Sequence, residues 1–336
     1  MPFNKTCCFL LAWFSFAAVF ACGQAEPYKY IRTGSDQDAS TAATAGYALM
    51  GGGPDLDDAF KFLCQHGAGG DFLILRAAGD DDYNPYVQHL CKLNSVATLV
   101  IASRQAANDG RVADIIHHAE AIFIAGGDQA RYINWWQDTP VQEALNAHIA
   151  AGKPIGGTSA GLAVLGEFIY SAQGDAPDDP DLTSAQALAD PYFARVTVRR
   201  NFLKINLLHN TLTDTHFAKR NRMGRSLTFL ARIVQDGWSP HPREIAVDES
   251  SAVLVERDGK SQIVGKGRGA YFISADHKPT TCRANTPLTL ENVAVYNAPG
   301  GTTFDLKSWA GSGGKSYSLT VRNGSVTSTL PGNEIY

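Results

Sequence analysis

The sequence predicts an α/β fold: a mostly parallel sheet with helices on both faces, followed by a small β-rich C-terminal appendage. Three observations predict it. Strand-like and helix-like segments alternate from residue 46 to residue 166. The strand-like segments are near-continuous apolar runs, as expected of strands covered on both faces. From about Ala275 the composition shifts to Thr, Asn, Gly, Ser and Val in short alternating runs, with Tyr317–Val321 the clearest strand among them.

In chain order, residues 1–25 read as a secretory signal peptide. Lys5 gives a weakly basic start, Phe9–Ala21 is a short apolar run, and small residues close it. The run is short for a membrane span. Cleavage after Ala21 or Ala25 fits, and a lipid on Cys22 is a minority alternative. The mature chain is therefore expected to be secreted or periplasmic. Residues 26–45 are polar and read as a linker, 46–274 as an α/β catalytic domain, and 275–336 as the β-rich appendage.

Within the α/β part, Gly46–Gly53 is a buried strand ending in a glycine turn. Asp57–His66 has helical apolar spacing. Asp71–Arg76, Val96–Ile101 and Ala121–Ala125 are further strands; Pro85–Leu93, Asp109–His118 and Val141–Ala151 are helices. Residues 174–181 are acidic and Pro-rich, which predicts a loop beside the site; calcium-loop ligand spacing is missing. Asp214–Leu230 carries the densest charge. Ile245–Glu256 reads as strand, turn, strand, and Gln262–Val264 as another strand.

Bulk properties narrow the partners. A net charge of −4 over 336 residues gives no general attraction to nucleic acid or to an anionic membrane. Gly51-Gly-Gly-Pro-Asp55 lacks the dinucleotide spacing G-x-G-x-x-G. No metal or cofactor is expected, and a homodimer stays open. Outside the signal, Cys64, Cys91 and Cys282 are too few for a disulfide scaffold, and which two would pair is not readable.

The chemistry centres on Gly157-Thr-Ser-Ala-Gly161, a G-x-S-x-G pattern between a buried strand and a helix. A serine at that turn takes a strained backbone, and very small neighbours at minus two and plus two let strand and helix pass closely. The helix's first free N–H groups then point at whatever the serine attacks. A glycine-rich turn with a serine cap would look alike. Of the later histidines, His216 alone sits in a polar cluster, Asp214-Thr-His-Phe-Ala-Lys-Arg-Asn-Arg-Met-Gly-Arg225. Arg220, Arg222 and Arg225 are either a solvated face or clamps for substrate carboxylates. The orienting acid is Glu249, with Asp248 its rival. That order, Ser, His, Glu, differs from the α/β-hydrolase order, which would need His277 as the base.

Together, Gly126-Gly-Asp-Gln129, the serine elbow, Asp214-x-His216-x-x-x-Arg220-x-Arg222-x-x-Arg225 and Asp248-Glu249 resemble the cyanophycinases over about residues 45–270. These are serine peptidases related to α-aspartyl dipeptidases and, more remotely, to class I glutamine amidotransferases. The resemblance implies a flavodoxin-like sheet with Ser159 as nucleophile, His216 as base and Glu249 as its partner. It implies oxyanion N–H groups from Gly127 and Ala160, and substrate contacts from Gln129, Asp214, Thr215, Arg220, Arg222 and Arg225. Thr215 stands where that family is expected to carry glutamine. The implied substrate is cyanophycin, a polyaspartate with arginine on each β-carboxyl, cut to β-Asp-Arg dipeptides. A peptidase for other acidic or β-linked peptides, or a non-catalytic exported binding protein, are the competing readings.

Overall fold

A computed structural model describes residues 1–2, 27–175 and 181–336. The expected signal peptide, including Cys22, lies almost wholly outside the described residues. So does most of the acidic loop. No helix among the described residues is long and apolar enough to cross a membrane.

The centre of the molecule is a run of parallel strands in the spatial order Ser95–Val100, Asp71–Arg76, Ala121–Ile124, Ile155–Thr158, Gly46–Met50. Alternate residues of these strands enter different cores, as the two-residue repeat of a strand requires. Leu73, Leu75, Leu99, Ile122 and Ile124 pack with Val112, Ile116, Trp136 and Leu145 from the helices Gly110–His118, Gln129–Trp136 and Pro140–Ala150. Phe72, Ile74, Val96 and Phe123 pack with Phe60 and Leu63 of Asp57–His66 and Val87 of Tyr83–Leu90. Both faces are covered, which is why these strands read as unbroken apolar runs.

Antiparallel strands flank this centre. Ser251–Glu256 pairs with Gly46–Met50, and Lys260–Gly265 and Thr303–Asp305 follow outward. On the other edge, Lys29–Gly34 pairs with Ser95–Val100. That corrects the linker reading of residues 26–45. The physical reason is Tyr30, Ile31 and Thr33, good strand formers, with Arg32 tied to Asp71 at 3.0 Å.

A second, nine-stranded sheet carries Phe168–Tyr170, Thr211–Asp214, Arg243–Val247 and Ala270–Ser274 side by side. Its one face shares the core of the first sheet through Ile169, Ile245, Val247 and Phe272. The other packs on the helix Met223–Gln235 through Phe168, Leu212 and Ala246. Residues 275–336 are β-rich and extend both sheets: Thr286–Ala298 and Lys315–Arg322 continue the second, while Thr303–Asp305 and Ala310–Ser312 continue the first.

Cys64, on the helix Asp57–His66, forms a disulfide with Cys91, just past the helix Tyr83–Leu90. Cys282 is buried and free. The bond closes a loop spanning a separation of 27 residues, so Cys64→Ser with Cys91→Ser should lower unfolding free energy by about 3 kcal/mol. Urea titration of the two forms checks this; an unchanged midpoint would mean the bond constrains nothing.

Candidate active site

Ser159 stands between the strand Ile155–Thr158 and the short helix Ala160–Ala163 with φ +51° and ψ −121°, a conformation that L-residues seldom take. The glycines on either side explain how the turn closes. A Cβ on Gly157 would lie 2.6 Å from the Gly161 backbone, and one on Gly161 would lie 2.0 Å from the Ile124 carbonyl oxygen. The Ser159 N–H donates to the Met50 carbonyl at 3.2 Å. The elbow read from sequence is thus built by backbone proximity that only glycine permits.

His216 follows the strand Thr211–Asp214 and also has positive φ, +46°. Its N–H donates to the Gly51 carbonyl at 2.8 Å. Its Nε2 is 2.7 Å from Ser159 Oγ, and its Nδ1 is 2.7 Å from Glu249 Oε1. A carboxylate only accepts, so Nδ1 carries the proton and Nε2 is left to accept from the serine hydroxyl. The hydrogen bond from His216 holds the Glu249 carboxyl below its usual range. Burial pushes His216 below its ordinary value of 6.5; Arg220 and Arg222 push the same way, and Glu249 opposes them. Asp248, the rival acid, points elsewhere: its Oδ1 accepts the Lys219 N–H at 2.9 Å.

The Gly51–Gly53 turn makes this arrangement fit. A Cβ on Gly52 would sit 2.4 Å from His216 Cε1, and one on Gly53 would sit 3.1 Å from Glu249 Cβ. The sequence placed these glycines at the carboxyl end of a strand near the site. Their task, to admit an imidazole and a carboxylate, shows only once three distant segments are brought together.

Ser159 opens into a cleft of about 460 Å³ lined by both signs of charge. Gly127, Gln129, Ala160, Thr215, Arg220, Arg222 and Arg225 all line it. Gly126 closes against the elbow, its Cβ position 3.4 Å from Ser159 Cβ, which carries Gly127 to the same wall. Asp128 caps the helix Gln129–Trp136 by accepting the Ala130 N–H. Asp175 accepts from Arg195 at 2.6 Å and from Tyr170 Oη at 3.1 Å. Asp128, Asp175, Tyr170 and Trp135 also line the cleft. None was singled out from the sequence, although Asp128 is adjacent to Gln129 and Asp175 falls in the acidic segment expected beside the site; Tyr170 and Trp135 carried no signal.

The three arginines divide. Arg225 is 1 % exposed and its Nε and Nη2 both bond the Asp214 carboxylate, with Tyr170 under the guanidinium at 4.9 Å. Arg222 is 8 % exposed, with Nη1 donating to the Thr215 carbonyl at 2.9 Å and Nη2 paired with Asp181. Arg220 is 44 % exposed and reaches Asp181 at 3.0 Å. Burial raises the Asp181 carboxyl, but Arg222 and Arg220 outweigh it and bring it down to about 2.

Asp214 was expected to touch substrate. It does not line the cleft; it is buried behind it and holds Arg225 and Arg222 from the back. Burial pushes this carboxyl up, yet the two guanidiniums keep it below the usual range. Nor do the arginines share a solvated helix: the helix begins only at Met223, and residues 215–222 are a turn. Among the described residues, no cluster of three or more His, Cys, Asp or Glu is placed to hold a metal.

A serine on a strained elbow, hydrogen-bonded to a histidine that a carboxylate orients, is the arrangement of a serine hydrolase on an α/β scaffold. The family model described as Peptidase family S51 matches residues 71–263, more than half of the chain, and the chain belongs to that family. The match contains Ser159, His216 and Glu249. Proteins named cyanophycinase from Trichormus variabilis and from a Nostoc species are each 29 % identical over 215 residues. Each alignment covers 63 % of this chain and 65 % of the relative, so the chain spans somewhat less than two thirds of their length. A solved peptidase from an acI-B1 Actinobacterium aligns with TM-score 0.47 and 17 % identity, over 66 % of this chain and 88 % of that one.

Three outcomes follow from the geometry. His216 must be neutral to act as a base, so the acid limb of the kcat/KM–pH profile should have its midpoint below 6.5. Arg220→Ala removes a cation that depresses His216, so the limb should move to higher pH; a downward shift would contradict the assigned cause. Asp214→Asn should cost about 3–5 kcal/mol of folding stability, because it leaves Arg225 buried without its partner. Chemical denaturation measures this, and a stable variant with only a raised KM would return Asp214 to the substrate.

Proposed function

We propose that the protein is an exported serine peptidase that hydrolyses cyanophycin to β-Asp-Arg dipeptides through an acyl-enzyme on Ser159. The observation that carries the reading is the Ser159–His216–Glu249 chain opening onto a cleft whose walls hold Arg220 and Arg222 as well as Asp128 and Asp175. A substrate bearing carboxylates and guanidiniums matches both walls, whereas a plain polyanion matches one. The named relatives and the residues shared with that family support the same substrate.

The steps use the chain's own groups. His216 Nε2 takes the Ser159 Oγ proton as Oγ adds to the scissile carbonyl carbon. The oxygen that becomes negative is taken by the N–H groups assigned to Gly127 and Ala160. Collapse breaks the C–N bond, and Nε2 returns its proton to the leaving amine. Water then loses a proton to Nε2 as it adds to the ester carbon, and Oγ leaves with that proton. Glu249 stays ionised throughout and stabilises the imidazolium.

Export is supported by the apolar run at Phe9–Ala21 and by the Cys64–Cys91 disulfide, a bond characteristic of oxidising compartments.

Purified protein incubated with cyanophycin should release β-Asp-Arg, detected by mass, and Ser159→Ala should lower the rate by a factor on the order of 10⁴ or more. Arg220→Ala should lower kcat/KM on cyanophycin by about 1–2 kcal/mol, with partial rescue by lysine, and change hydrolysis of a neutral ester little. Equal rates on cyanophycin and plain polyaspartate, unmoved by Arg220→Ala, would remove the substrate assignment.

A further inference from the structure

The helix Met223–Gln235 begins without a cap of its own. Arg222, at its N-cap position, gives no side-chain hydrogen bond to the first turn, although the first N–H groups of a helix need partners. Two distant hydroxyls supply them. Ser184 Oγ accepts the Arg225 N–H at 3.3 Å, and Tyr336 Oη accepts the Met223 N–H at 2.8 Å. Tyr336 Oη also donates to Asn221 Oδ1 at 3.2 Å, so one hydroxyl grips both sides of Arg222. The ring is held edge-on by Phe217, the neighbour of His216, at 5.9 Å and by Tyr271 at 5.8 Å. The Tyr317 hydroxyl donates to the Ile335 carbonyl at 2.8 Å and anchors the residue before it.

Tyr336 lies 73 residues beyond the last position of the family match, which ends at 263 (336 − 263). We infer that Tyr336 is a positioning residue for the arginine wall of the cleft: its hydroxyl fixes the turn 221–223 and thereby aims Arg222. This gives the β-rich tail a task at the site, and it rests on the proposed substrate reading only for which ligand reports it. Tyr336 touches neither Ser159 nor Glu249, so the effect belongs to binding of the substrate carboxylate and not to the bond-breaking step.

Tyr336→Phe keeps the ring between Phe217 and Tyr271 and removes the hydroxyl. In a Ser159→Ala background, binding of the β-Asp-Arg dipeptide, measured by calorimetry, should weaken about five- to tenfold, from the loss of the two hydrogen bonds the hydroxyl makes to the turn. With Ser159 intact, KM for the peptide should rise by a similar factor while kcat and the rate of labelling by a fluorophosphonate stay within about twofold. Hydrogen exchange at the Met223 amide should quicken about tenfold, with exchange in the central strand Ala121–Ile124 unchanged. Asn221→Ala should move dipeptide affinity in the same direction by less. Unchanged affinity and unchanged Met223 exchange in Tyr336→Phe would overturn the inference, as would an equal loss of probe labelling, which would mean general loosening. If Ser159→Ala binds no dipeptide at all, the substrate reading falls, and the Met223 exchange still decides whether Tyr336 fixes the turn.

Discussion

Three successive carbonyl groups at the end of one strand tie the reactive groups together. Met50 accepts the N–H of Ser159, Gly51 that of His216, and Gly52 that of Ser250, the residue after Glu249. Serine, histidine and carboxylate come from segments far apart in sequence, yet each is registered against the same three peptide units. The turn can do this only if it has no side chains. Every Cβ it might carry would fall within 3.1 Å of the imidazole, the acid or the Asp248 backbone. Backbone hydrogen bonds therefore set the geometry, and side-chain rotamers refine it.

The parallel centre makes that registration possible. The strands Ile155–Thr158 and Gly46–Met50 are neighbours, so the elbow and the glycine turn leave the sheet side by side, at its carboxyl end, where ligands of such sheets collect. The second sheet then delivers His216 from the end of Thr211–Asp214, and Glu249 from the connection between Arg243–Val247 and Ser251–Glu256. That connection passes from one sheet to the other, which places the acid at their junction.

The parts legible in the sequence were those fixed by local rules. Continuous apolar runs marked the parallel strands, because burial on both faces leaves no polar alternation. Gly157 and Gly161 marked the elbow, because a close approach of backbones excludes Cβ atoms. The second sheet was legible only in part: Arg243–Val247 and Lys315–Arg322 showed as strands, but Phe168–Tyr170 and Val198–Arg200 are three residues each, too short to show a period. The arginine cluster was visible as composition but its division was not. Spacing cannot show that Arg225 is spent on Asp214 while Arg220 stays in reach of solvent. Tyr336, too, gave no signal, since a cap supplied across 113 residues leaves no trace in any local pattern.

Asp181 gives the arginine side of the cleft a further character. It stands between Arg220 and Arg222, its carboxylate 54 % exposed and bonded to both guanidiniums. If a substrate carboxylate binds these arginines as proposed, the chain carries its own competitor for it, tethered nearby and always present at high local concentration. Weak acidic solutes would have to displace it and gain little net attraction. A polymer that repeats the right charge would repeat the attempt at every residue. On the proposed substrate, preference for long, zwitterionic chains over free amino acids would then come from competition with Asp181 as much as from the contacts the bound chain makes.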